Sequence, residues 1–247
     1  MDLLTREFFD REFPKFNQRV HIPEHIFATP VPVVELELGI DVDKILSIAK
    51  TIPVDDYVSV IDINPAPTVD KLHSNRSWEN YENRIHGWQD TFLWSDGGDI
   101  QHLEDIYYKK PRPSFPIIEI SDAGQQIRDI LSQAGLNINL CTLSVFGPKG
   151  YCKPHRDIGL VDLPLAYFWI PLNFPNGSDL KIYPSGYVDV KLGNVYLLNQ
   201  ENFTHAVKND NSMDYRYVLF GFLKPVISEE FYNTVYQAIS QQYTIIT

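Results

Sequence analysis

Residues 137–223 decide the fold, and they read as eight short runs: NINLCTLSVF (137–146), YCKPH (151–155), LAYFWIPLNF (165–174), DLKIY (179–183), YVDVK (187–191), NVYLLN (194–199), FTHAVKN (203–209) and YRYVLFGFL (215–223). Each run is rich in β-branched and aromatic side chains. Each stops at turn formers, among them Gly147-Pro148-Lys149-Gly150, Pro175-Asn176-Gly177, Pro184-Ser185-Gly186 and Leu192-Gly193. Short runs broken at regular intervals predict an antiparallel barrel or sandwich. A closing helix follows from Ser228 to about Gln242, with Ser228 as N-cap and Glu229 and Glu230 in the first turn, where a carboxylate suits the helix dipole.

Upstream of residue 137 the texture is different. An amphipathic helix is expected over Leu3–Phe13, a second over Asp41–Thr51, and a third over Asp122–Ala134 with Gly135 as its stop. Between the last two lie Pro-rich joints and the aromatic stretch RSWENYENRIHGWQDTFLW (76–94), which mixes Trp78, Tyr81, Arg84, His86, Trp88 and Trp94 with polar residues. That stretch reads as a connector packed on the barrel or as a flap over a site. The expected organisation is an α-containing support over residues 1–136, packed on a catalytic core and C-terminal helix over residues 137–247, as one structural unit.

Composition narrows the classes of function. The chain has 247 residues with 21 Lys plus Arg against 32 Asp plus Glu, a formal charge of −11. Nucleic acid and anionic membrane surfaces select for a basic face, so neither is an expected partner. Two cysteines, Cys141 and Cys152, make no disulfide framework, and the charged start MDLLTREFFDREF carries no readable signal peptide. A soluble protein of the reducing cytoplasm is the simplest expectation. Nucleophile elbow, phosphate-binding loop and dinucleotide fingerprint are all missing from the sequence, which leaves covalent hydrolase and nucleotide-dependent chemistry without support.

Three residues stand out as possible metal ligands. His155 and Asp157 are two apart at the end of the second run, a spacing that lets both side chains serve one face, and His205 opens the later part of the seventh run. Two imidazoles and one carboxylate leave three adjacent positions open on an octahedral ion, which suits non-haem Fe(II); zinc is the competing occupant. Arg216 opens the last apolar run. A guanidinium there needs an anion, either one of the 32 acids as a salt bridge or the carboxylate of a small molecule, which Arg can grip with two parallel hydrogen bonds.

The order GPKGYCKPHRD (147–157), GNVY (193–196), HAVKN (205–209) and Arg216 resembles the Fe(II)/2-oxoglutarate-dependent oxygenases, and within them the aspartyl/asparaginyl β-hydroxylase-like branch. The resemblance covers about residues 138–223. It implies a mainly β fold with flanking helices: a double-stranded β-helix (jelly-roll, cupin-like) barrel of eight strands. It also implies that His155, Asp157 and His205 form the catalytic metal centre for Fe(II), and that Arg216 binds the distal carboxylate of 2-oxoglutarate. Asn209 matches the Asn of the family's His-x-Val-x-Asn with no role assigned.

One departure concerns the third run, where members of that branch often carry an Arg-x-His pair. Tyr167 and Trp169 stand there instead and become the further candidates for cosubstrate binding. The implied activity consumes O2 and 2-oxoglutarate, releases succinate and CO2, and hydroxylates a C–H of a small molecule or of an amino-acid or peptide side chain. The alternative is a non-catalytic cupin-like barrel that binds a ligand or protein and keeps the metal residues as a relic.

Overall fold

In a computed structural model of the chain, the described residues are 31–53, 58–59, 85–96, 118–155, 167–182, 186–200, 203–224 and 228–242. The elements run β1 (Val33–Leu36), α1 (Val42–Ala49), β2 (Val58–Ser59), β3 (Ile85–Ser95), α2 (Asp122–Gln133), β4 (Ile138–His155), β5 (Tyr167–Pro171), β6 (Ser178–Ile182), β7 (Gly186–Tyr187), β8 (Val195–Leu198), β9 (His205–Asn209), β10 (Arg216–Leu223) and α3 (Glu229–Gln242). The expected helix over Leu3–Phe13 lies outside the described residues, as do Trp78, Tyr81, Arg84 and Asp157.

The strand order is β1-β8-β5-β10-β4-β9-β6-β7, with β3 on the other side of β4 and β2 beyond it. β4 belongs to two places at once. Its first half, from Ile138 to Phe146, pairs with β10, while Tyr151, Cys152 and His155 pair with β9. Cutting the path at that point gives β8-β5-β10-β4 and β4-β9-β6-β7, so the chain crosses between two four-stranded halves at every step except from β6 to β7. This is the winding of a double-stranded β-helix, and the eight expected runs supply its eight strands.

The turn expected at 147–150 is a bend inside β4. Lys149 takes φ +62°, its backbone N–H donates to the Asn211 carbonyl (3.0 Å), and its Nζ donates to the Asp210 carbonyl (2.6 Å). β3 keeps the ladder continuous, pairing with Phe146 and with Tyr151 on either side of the bend. Gly87, opposite the bend at φ +62°, sits close against it: a Cβ there would lie 3.2 Å from the Gly150 Cα and force a shift of a few tenths of an ångström. Ile85–Ser95 of the aromatic stretch is thus a strand of the sheet, β3, while residues 76–84 lie outside the described residues. The fifth run is shorter than expected; only Gly186–Tyr187 is strand, and Tyr196 Oη accepts from the Lys191 N–H (2.7 Å), tying down the rest.

Alternation along the strands divides the core in two. Leu143, Val145, Phe168, Ile170, Leu197 and Leu219 point outward to meet Ile45 of α1, Ile127 and Leu131 of α2, and Val235 and Ile239 of α3. Leu140, Trp169, Leu180, Ile182, Tyr196, Val218 and Phe222 fill the space between the two halves. Burial of each large side chain contributes roughly 1.5–3 kcal/mol, so both layers hold the barrel rigidly around whatever sits inside it. The helices are capped locally: Asp41 accepts from the Lys44 N–H, Ser121 (one residue before the expected Asp122) from Gly124 N–H, and Ser228 from Phe231 N–H. No helix among the described residues is long and apolar enough to cross a membrane.

Candidate active site

Two of the three expected metal residues are brought together by backbone pairing alone. His155 ends β4 and His205 begins β9, and the two are register partners across that ladder. His205 is 3% exposed. Its neighbours in register show which way it points: Ile182 is its partner on β6, and Ile182 belongs to the cluster between the two halves of the barrel. The ring Nδ1 lies 3.4 Å from the Phe203 carbonyl oxygen. A carbonyl accepts only, so this contact favours the tautomer with the proton on Nδ1, and the lone pair sits on Nε2. That is the arrangement a metal-binding imidazole requires.

Arg216 lies at the other end of the same interior, on the face of β10 that carries Val218 and Phe222. It is 0% exposed. Rings surround it: the guanidinium carbon is 4.7 Å from the Phe174 centroid, 4.9 Å from Trp169 and 5.8 Å from Phe146. Trp88 extends this wall by stacking on Phe146 at 5.1 Å. Aromatic faces stabilise a cation without neutralising it.

The hydrogen bonds of Arg216 are lopsided. Nη1 donates to the carbonyls of Lys208 (2.9 Å) and Asp179 (3.1 Å). Nε and Nη2 are buried with no partner among the described residues. Burial drives the guanidinium toward its neutral form, to about 9, with the charge of Asp179 opposing. Asp179 itself turns to Lys208, 3.5 Å away, and Lys208 also reaches Asp210 at 3.1 Å. The salt-bridge reading of Arg216 therefore finds no carboxylate among the described residues. Two adjacent N–H groups on one edge of a planar cation match the two oxygens of a carboxylate.

The free donors of Arg216 suit a carboxylate, whereas no three His, Cys, Asp or Glu residues gather into a metal cluster among the described residues. Buried donors without acceptors are costly to leave unmade, and an incoming carboxylate would satisfy both at once. Trp169, one of the two residues in the Arg-x-His position, comes to this clamp as one of its walls. Tyr167 does not: it pairs with Phe222 rather than with the start of β10, and its ring packs edge-on against Phe222 at 4.7 Å.

Three contributors carry no role in the sequence reading. Phe146 and Phe174 end apolar runs, where an aromatic gives no sign of a site. Asn209 is fully buried, its Oδ1 accepts from Ser178 Oγ (3.3 Å), and its Nδ2 donates to the carbonyls of Phe146 (3.1 Å), Gly147 (3.1 Å) and Asp214 (2.7 Å). Its only sequence signal was its match to the family pattern.

No protein-family model matches the chain, and no curated protein sequence matches it. Among solved structures it is similar to a prolyl-4-hydroxylase from Pseudomonas putida, at 12% identity and a TM-score of 0.40 over 78% of this chain and 92% of that one. A 2OG-Fe(II) oxygenase-family oxidoreductase from Burkholderia pseudomallei gives 11% identity and a TM-score of 0.42 over 74% and 92%. A viral collagen prolyl hydroxylase from Paramecium Bursaria Chlorella virus-1, solved with 2OG, gives 15% and 0.32 over 62% and 87%. Likenesses of this size do not bear on activity.

Proposed function

We propose that the protein is an Fe(II)- and 2-oxoglutarate-dependent dioxygenase that hydroxylates a C–H of a small molecule or of an amino-acid or peptide side chain. The observation that carries this reading is Arg216: a fully buried guanidinium inside the barrel with Nε and Nη2 unpaired among the described residues, in the same interior as His205. His155, Asp157 and His205 would hold the iron, which together with 2-oxoglutarate supplies the oxidising power for an unactivated C–H. The protein's own residues do the rest. Arg216 takes the distal carboxylate through Nε and Nη2, and Trp169, Phe174 and Phe146 keep water from that charge pair, which strengthens it. The Phe203 carbonyl holds the His205 ring in the tautomer that presents Nε2.

The test is spectroscopic. Anaerobic addition of Fe(II) and 2-oxoglutarate should give a weak visible metal-to-ligand band in the parent protein and none in His205→Ala. A band that persists in the variant, or none in the parent, overturns the reading. Succinate release on admitting O2, over a panel of free amino acids and peptides, then separates an oxygenase from a barrel that only binds the dicarboxylate.

A further inference from the structure

The direction in which Arg216 presents its free edge is set by other strands. Nη1 is held by the carbonyls of Lys208 and Asp179, which are themselves register partners across β9 and β6. A long side chain held by two acceptors at one tip points its remaining donors wherever those acceptors dictate. Lys208 is followed directly by Asn209, and Asp179 is preceded directly by Ser178.

Asn209 joins all the segments that matter to this geometry. Its Nδ2 shares two N–H groups among three carbonyls: Phe146, the register partner of Arg216; Gly147, where β4 bends; and Asp214, two residues before Arg216. Its Oδ1 accepts from Ser178, the residue beside Asp179. One buried amide thus fixes where β10 begins, what lies across from Arg216, and where both Nη1 acceptors sit. A buried network with every member satisfied is stiff, and loss of one member is felt by the rest.

We propose that Asn209 is a positioning residue for the carboxylate clamp, with Ser178 setting the orientation of its amide. The proposal rests on the reading of Arg216 as the 2-oxoglutarate clamp. It requires that Asn209 govern affinity for the dicarboxylate while leaving the metal residues alone, because none of its four side-chain hydrogen bonds goes to His155 or His205.

Trp169 provides a reporter that does not depend on turnover, since its ring lies 4.9 Å from the guanidinium. 2-Oxoglutarate is titrated into the full chain with Mn(II) while tryptophan fluorescence is followed, and Trp169→Phe assigns the signal. Mn(II) affinity is measured separately. In Asn209→Ser, 2-oxoglutarate binding should weaken by about tenfold or more with Mn(II) affinity within about twofold, and Ser178→Ala should shift binding by about threefold in the same direction. Two findings overturn the proposal and leave the clamp standing: both variants bind like the parent while Arg216→Ala does not bind, or Mn(II) and 2-oxoglutarate affinities fall together. Should Asn209→Ser fail to fold, Ser178→Ala decides, and an unchanged affinity overturns the proposal. A parent protein that binds no 2-oxoglutarate overturns the clamp and the role of Asn209 together.

Discussion

His155 and His205 occupy one rung of the β4–β9 ladder although fifty positions of sequence separate them. Antiparallel register partners have their Cα atoms about 4.5–5.5 Å apart, so the pairing itself sets the two histidine positions side by side. The first prediction follows from this rung. His205→Ala should weaken Mn(II) or Fe(II) binding by about a hundredfold. Replacing Phe203, whose contribution is a backbone carbonyl, with Leu should change it little. Equilibrium titration of the two variants beside the parent checks both halves, and equal affinities for parent and His205→Ala would remove His205 from the centre.

Arg216 predicts a conflict between stability and binding. Arg216→Lys keeps a cation but loses the edge formed by Nε and Nη2, so 2-oxoglutarate affinity should drop by about 2–3 kcal/mol. Arg216→Met should abolish binding and yet unfold no earlier than the ligand-free parent, because it removes from among three aromatic rings a buried cation that has no carboxylate partner among the described residues. Added 2-oxoglutarate should raise the melting temperature of the parent and not of Arg216→Met. Thermal unfolding with and without the dicarboxylate measures all three. A Met variant that melts well below the parent would mean that the two Nη1 hydrogen bonds matter more to the fold than the unpaired charge costs it.

The eight strands of the barrel were readable because each carries its own local signal: alternating or continuous β-branched and aromatic residues, and a turn former at the end. β1 and β3 were not. Val33–Leu36 is four residues long in a Pro-rich setting, and Ile85–Ser95 contains Gly87 and two register shifts, so neither keeps a period that sequence alone displays. Of the candidate site, His205 and Arg216 could be singled out because those residue types are out of place on apolar strands. The supports could not. Arg216 is aimed by the backbone carbonyls of Lys208 and Asp179, and Asn209 by those of Phe146, Gly147 and Asp214; a carbonyl has no residue identity, so only the register reveals it.

Gly221 tests the register of the central strand. It pairs with Cys141 on one side and Phe168 on the other, and a Cβ added there would land on the Leu140 carbonyl oxygen and lie 2.9 Å from its carbon. Both neighbours are backbone in the middle of a ladder, so nothing can swing aside. Gly221→Ala should cost about 3 kcal/mol or prevent folding, whereas Gly135→Ala, which meets nothing within 4 Å, should cost only the strain of its φ of +84° at the end of α2, about 1 kcal/mol. Urea unfolding of both variants gives the comparison, and similar midpoints would contradict the β10–β4 register.

Asp90 predicts how stability changes with pH. It is half-buried on β3 opposite Ser144, and it accepts from Trp88 Nε1 at 2.7 Å. Burial pushes its carboxyl up from 3.8 to about 6, with the neighbouring Ser144 hydroxyl and the hydrogen bond from Trp88 pulling the other way. The folded state therefore holds this proton more tightly than the unfolded chain does. Between about pH 4 and pH 6 the native protein binds more protons at this site than the unfolded one, so stability is highest below that window and falls as pH rises through it. A shift of that size corresponds to roughly 2 kcal/mol after allowance for partial exposure. Asp90→Asn keeps an oxygen for Trp88 and carries no charge at any pH. Its unfolding free energy, from urea titration, should therefore exceed that of the parent at pH 7 by about that amount, and the two should converge near pH 4. A parent that is more stable than Asp90→Asn at pH 7 would show that the ionised carboxylate is held by these donors more strongly than burial opposes it.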